Sequence, residues 1–348
     1  MLSVVIGFVF NLLLYFISPV IISWMGAEGG VYEAALTYLR VRAFEMPLLF
    51  VFAAFQAIRQ ARGDTTTPVI LTIISVIINI ILTGTFIKVY NMGVFGAALA
   101  TLIGHAIIVP PALYLLFSKK DSMHISRASL SFKLKDIRTL INIAMPSAGS
   151  QALSSLGFVI LQAVILSYGE SVSAAFSIGN KISNLLLIPV MALGSVLAAF
   201  VGQNVGAGNK KRAKESYIAS RNVALIITII GSIVLFPLRE QLIGILTNDR
   251  ETLLNGMEYM FWVLLTQPLM AMFQNYMGVF NGSGNTRYSF YMATARLWVL
   301  RLPMILFMKN FTDIGHVGIW YAMVLSNLLI MFYGGWLFSK VKFTKRVS

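Results

Sequence analysis

Long apolar runs broken by short polar turns recur along the whole chain. A run of about 20 apolar residues is what a helix needs to cross a bilayer. Ten such helices are predicted, near 1–23, 37–58, 66–88, 93–117, 139–168, 174–201, 215–237, 255–280, 288–310 and 315–338. Alternating strand patterns are absent, and lipid cannot satisfy open backbone groups, so spanning helices are the form expected. The turns are short and marked by Gly, Asn or Asp. The longest connection, "SKKDSMHISRASLSFKLKDIR" at 118–138, is polar, basic and rich in Ser. It divides the chain into a block of four helices over 1–117 and a block of six over 139–348. The fold class is therefore an all-α membrane protein, a polytopic bundle of about ten helices in two pseudo-symmetric lobes.

Two of the turns are nearly the same. "QARGDTTTP" at 60–68 is answered by "NGSGNTRYS" at 281–289, and Gly63 and Gly284 are 221 residues apart. Tyr38 and Tyr259, and Pro47 and Pro268, keep the same offset. With one inserted residue, "GVFG" at 93–96 answers "GHVG" at 315–318. The matched turns fall on one side of the membrane, so the blocks are parallel repeats. Pro47 and Pro268 predict a matched kink in both lobes. Prolines 110, 111, 146, 189 and 303 also fall inside predicted spans. The six-helix block starts near Asn142, and its counterpart would start about 80 residues before Met1 by the 221-residue offset. Two N-terminal helices are expected to be missing from the four-helix block, with a natural ten-helix protein as the alternative.

Composition agrees with the membrane reading. Hydrophobic residues make up 57% and charged residues 11%, less than half the charge of a soluble domain, about 25%. The net charge of +14 is read as an orientation signal and not as a nucleic-acid footprint. If 118–138 is cytoplasmic, so are 59–65, 202–214, 281–287 and the tail after 339. With Arg221 that side carries 18 of the 27 Lys and Arg residues, the opposite side 6, and Lys181, Arg296 and Arg301 lie within spans. This bias predicts a multi-pass inner-membrane protein with a cytoplasmic C-terminus. Cysteine is absent, which excludes disulfides and thiolate chemistry. His105, His124 and His316 are scattered and make no metal cluster. The Gly-rich "VGQNVGAGNKKRAKES" lacks the Gly-Lys-Ser/Thr ending of a phosphate loop. No catalytic constellation is read, so an enzyme is not expected. The first apolar run has no basic lead and is read as a span rather than a signal peptide.

The basic-Gly-Asp-Thr-x-x-Pro turn, "VIINIIL" in the next helix, "GVFGAALAT" opening the one after, and "FVGQNVGAGNKKRAK" at 200–214 together resemble the multidrug and toxic compound extrusion (MATE) family. The resemblance runs along the whole chain, as helices three to twelve of a twelve-helix fold. It implies two lobes around a central cavity and export of bulky organic cations by antiport against Na⁺ or H⁺, with alternating access. It implies no cofactor beyond that coupling ion, a membrane-lipid setting, a small organic cationic substrate, no nucleic acid and a monomer. In many members a cation or proton site uses an Asp on the first helix, an Asn on the fifth, an Asp one turn later and a Thr on the sixth. Asn79 and Thr101 match the Asn and Thr; Thr83 stands where the second Asp is expected, and the first Asp would precede Met1. Lipid-linked oligosaccharide flippases of the same superfamily are the alternative reading, as is a truncated, non-transporting membrane fragment.

Asn79 and Thr83 share a helix face at i, i+4. Their oxygens suit a hard cation, or else interhelical hydrogen bonds. Thr101 lies on a small-residue face suited to packing. Glu45 is a carboxylate within a span, and such acids are functional suspects; pairing with Arg42 near the outer interface is the equal alternative. Asn180, Lys181 and Asn184 are candidates to line the cavity, with Gln162, Gln274 and Asn275 on other helices of the second block. Gln151 and Gln267 add further polar groups. Arg296 and Arg301 are read as structural anchors or as contacts to an anionic substrate. The aromatic residues suit interfacial belts or cation–π contacts to flat cations.

Overall fold

A computed structural model describes residues 2–24, 28–118, 134–341 and 343. Most of the predicted 118–138 linker, His124 included, lies outside the described residues, as do the tail basics Lys342, Lys345 and Arg346. The described chain is helical and divides into two units, 1–132 and 133–348, at a boundary inside the predicted linker.

The N-terminal unit comprises α1 (Leu2–Trp24), α2 (Gly29–Ala43), α3 (Met46–Ala61), α4 (Thr66–Lys88) and α5 (Gly93–Phe117). The C-terminal unit comprises α6 (Leu134–Leu166), α7 (Glu170–Gly206), α8 (Lys210–Gly244), α9 (Arg250–Gly282), α10 (Thr286–Thr294), a π-helical turn (Ala295–Arg301), α11 (Leu302–Phe311) and α12 (Val317–Ser339). Among the described residues eight helical segments are long and apolar enough to cross a membrane, and a ninth if the bent pair α2–α3 is one span. The α9 helix is long enough at 33 residues but less apolar. Large apolar side chains such as Phe16 and Ile80 stand exposed on the outside of the helices, as a lipid-facing surface requires.

Helix association here rests on small residues, because lipid removes the hydrophobic drive between helices. The backbones of α7 and α9 approach closely. A Cβ on Gly278 would strike the Gly194 backbone, and one on Gly282 would strike Ala198. In the N-terminal unit Phe52, Phe55, Leu71, Ile108, Val109 and Ala112 form the core joining α3, α4 and α5.

The repeated turns fold alike. Gly63 and Gly284 both take positive φ, 89° and 71°, and so do Gly93 and Gly315, 51° and 70°. That region costs an L residue with a side chain about 1–2 kcal/mol, so Gly is demanded twice at the same register. Asp64 Oδ1 accepts from the Thr67 backbone N–H at 3.0 Å and so caps α4. Arg59 pairs with its other oxygen at 3.3 Å. Burial raises the Asp64 pKa, but hydrogen bonds from Thr67 and the Arg59 charge outweigh this and hold it below the ordinary 3.8.

The two matched prolines are seated differently in their helices. In the N-terminal unit the helix breaks by 46° between α2 and α3, and Pro47 opens α3, where its missing N–H costs nothing. In the C-terminal unit α9 runs unbroken through Pro268. The carbonyl that Pro268 deprives of an intrahelical partner belongs to Leu264. Ser232 of α8 donates its hydroxyl to that oxygen at 3.0 Å. A neighbouring hydroxyl thus re-satisfies the freed backbone and the helix stays whole.

The one-residue change in repeat offset also has a structural seat. The offset is 221 at Gly284 and 222 at Gly315, and the π turn lies between them. Its counterpart, α4, is α-helical throughout. A π turn closes an i→i+5 ladder and so holds one residue more than an α turn.

Candidate functional site

Each unit has its own cavity with polar side chains on its wall. The N-terminal one has a volume of about 210 Å³ and is lined by Ser75 and Asn79 of α4 and Thr101 and His105 of α5, with Phe52 and Ile108 as apolar wall. Asn79 donates its amide to Thr101 Oγ1 at 3.0 Å, and Thr101 donates to the Ala97 carbonyl at 3.0 Å. Thr83 lies one turn further along α4, half-buried, and is not among the lining residues.

Glu45 sits in the turn that separates α2 from α3 and is buried. Arg42 pairs with its Oε2 at 2.5 Å, and His105 Nδ1 lies 3.1 Å from its Oε1. The same Nδ1 is 3.2 Å from the Thr101 carbonyl. Both neighbours are acceptors when the carboxylate is ionised, so Nδ1 carries the proton and Nε2 is the basic atom of the ring. His105 therefore joins Glu45 to the Asn79–Thr101 pair. The sequence reading set this histidine aside as isolated. The signal available was that His105, like Glu45, is an ionisable group inside a predicted span.

The C-terminal cavity is larger, about 610 Å³. Asn180 and Asn184 line it from α7, Gln151 from α6, and Gln267 and Gln274 from α9; Arg296 and Arg301 line it from the π turn. Phe158, Phe176, Leu187, Val263 and Met323 supply apolar wall. Three residues expected here lie elsewhere. Lys181 is exposed, since it sits about 100° round α7 from Asn180. Gln162 donates to Ser173 and Ser177, tying α6 to α7. Asn275 is fully buried; it donates to the Ala271 carbonyl and accepts from Ser220, tying α9 to α8.

The π turn explains why two arginines reach one cavity. Residues five apart on an α-helix point about 140° apart. On an i→i+5 ladder they fall on one face. Arg301 is buried and donates Nε to Ser326 Oγ at 3.1 Å and an Nη to Asn327 Oδ1 at 2.5 Å. Arg296 lies 4.5 Å over the Phe273 ring, touches Met270 Sδ at 3.4 Å, and its Nε is buried without a partner. No Asp or Glu lines this cavity among the described residues.

The MatE family model matches residues 1–85 and 146–307. The chain belongs to the MatE family. It is thus a multi-pass membrane transporter and not an enzyme. A probable multidrug resistance protein of Bacillus subtilis, YpnP, is 24% identical over 330 residues, covering 92% of this chain and 73% of that one. A FAD transporter of Shewanella oneidensis is 26% identical over 325 residues, covering 90% and 70%. Among solved structures, a MOP superfamily transporter of Pyrococcus furiosus, for which reverse polarity of the binding pocket is described, superposes with a TM-score of 0.92. It is 21% identical, with 97% of this chain and 76% of that chain covered. That likeness gives the MatE fold.

Proposed function

We propose that this MatE protein is a secondary exporter of small organic molecules in the bacterial inner membrane, its C-terminus cytoplasmic, working by alternating access in exchange for a cation. Proton coupling through Glu45 and His105 is the form the geometry supports best. The observation that carries it is a buried carboxylate held between a guanidinium and an imidazole. Such a cluster exchanges one proton at low cost, because Arg42 stays to balance the carboxylate and His105 can take the charge. Na⁺, a hard cation, needs several free oxygens. Here the Glu45 oxygens face Arg42 and His105, and Thr101 Oγ1 already accepts the Asn79 amide.

The test is transport into or out of proteoliposomes under an imposed gradient. A pH gradient alone is expected to drive movement of a fluorescent organic probe, and a Na⁺ gradient alone is not. Transport driven by Na⁺ and indifferent to pH would overturn proton coupling, and no gradient-driven transport of any probe would overturn the exporter. The substrate was expected to be cationic on the family resemblance. The C-terminal cavity favours a different charge.

A further inference from the structure

We infer that the C-terminal cavity binds the anionic group of an amphipathic organic molecule, a phosphate or carboxylate, between Arg296 and Arg301. This rests on the exporter reading only for what happens after binding.

Two guanidiniums open onto one cavity near the middle of the Thr286–Phe311 span. Charges at that depth are costly unless paired. Arg301 is held only by neutral oxygens, those of Ser326 and Asn327. Arg296 has a ring face, a thioether and an unpartnered Nε. No carboxylate among the described lining residues offsets either charge. An anion between them offsets both, and a guanidinium fork fits the two oxygens of a carboxylate or phosphate. Tyr259 also lines the cavity, and its hydroxyl is buried without a partner. Among the amides and hydroxyls of the wall, Phe158, Phe176, Leu187, Val263 and Met323 form apolar stretches, which suit a flat apolar body attached to the anion. A cavity of about 610 Å³ is of drug-like size.

A pair of probes isolates the anionic group: riboflavin and riboflavin 5′-phosphate share one ring system and differ in the phosphate. Binding to the full chain in phosphatidylcholine nanodiscs is followed by flavin fluorescence, with no gradient imposed. The phosphate form is expected to bind at least about tenfold tighter than riboflavin, the worth of one charge-assisted contact. Arg296→Gln is expected to remove that preference, while Arg296→Lys retains most of it. Arg301→Lys guards against a folding defect, since the charge remains while the guanidinium fork is lost.

A lipid headgroup offers the same chemistry as a free ligand. Adding phosphatidylglycerol to the nanodisc separates the two. Competition that disappears in Arg296→Gln identifies a lipid phosphate as the occupant; no competition identifies a soluble anion. Equal binding of the two flavins, or a preference untouched by Arg296→Gln, would overturn the site. A chain that binds the phosphate form but moves nothing under any gradient leaves the site standing and removes the exporter.

Discussion

Glu45 and His105 in the N-terminal unit correspond, by the repeat offset, to Thr266 and Asn327 in the C-terminal unit. The same contact is made twice. His105 Nδ1 lies 3.1 Å from Glu45 Oε1, and Asn327 Nδ2 donates to Thr266 Oγ1 at 3.3 Å. Asn79 corresponds to Arg301 once the extra residue of the π turn is counted. One unit thus places an acid, an imidazole and an amide where the other places a hydroxyl, an amide and a guanidinium. The duplicated scaffold fixes which helix positions meet. The residue types decide whether the meeting point favours a cation or an anion. The proposed exchange of a proton for an anionic molecule calls for two such points of opposite sign, one in each unit.

The sharpest way to break this comparison is to remove the acid. Glu45→Gln keeps the shape and removes the carboxylate of the proposed proton site. Gradient-driven transport is expected to fall at least about a hundredfold, the usual worth of a positioned proton-transfer group. Phosphate-dependent flavin binding in the C-terminal cavity is expected to persist. Loss of both together would show that the units do not divide the work.

The repeat was legible in the sequence because it rests on local backbone chemistry. Gly63, Gly284, Gly93 and Gly315 must tolerate positive φ wherever the rest of the chain goes. The helices were legible for a similar reason, since each satisfies its own backbone. What escaped was set by contacts across helices. The unbroken course of α9 through Pro268 is supported by Ser232, 36 residues away in sequence. The role of His105 depends on Glu45, across a helix break. Lys181, Gln162 and Asn275 were singled out as polar groups in apolar helices. The sequence pattern does not say whether such a group turns to a cavity or to a neighbouring helix. Asn180, Asn184 and Gln274 do line the cavity and carry the same pattern. The π turn was visible only as a one-residue slip in an otherwise constant offset.

That slip gives the second prediction, which compares the two equivalent helices directly. Val299 is an exposed residue of the π turn, and Ile74 is exposed on α4. Deleting Val299 converts the π turn to an α turn. Arg296 and Arg301 then stand four apart, still on one face, and both flanks keep their register. The expected destabilisation is under about 1 kcal/mol, with phosphate-dependent flavin binding retained. Deleting Ile74 has no extra residue to absorb it. Everything beyond turns by about 100°, which carries Asn79 away from Thr101. A loss of at least about 2 kcal/mol is expected, as for emptying a large core position. Thermal melts of both deletions in one detergent decide the matter. Equal damage would mean that the π turn is not where the repeat gained its residue.

The smallest effect concerns the turns. Asp64 caps α4 through Thr67, whereas its counterpart Asn285 turns its amide to the Ser283 hydroxyl at 3.0 Å. Asp64→Ala is expected to cost about 1 kcal/mol, the typical worth of an N-cap. The loss should depend on pH in a defined direction. The folded pKa of Asp64 lies below 3.8, so the ionised cap stabilises the folded chain above that pH. This stabilisation fades as the pH falls through the folded value. Melting temperatures of wild type and Asp64→Ala should therefore differ at neutral pH and converge in acid. A gap that stayed constant into acid would show the cap to act by hydrogen bonding alone, independent of charge. The two turns would then differ in the hydrogen bonds they make and not in the charge of the cap.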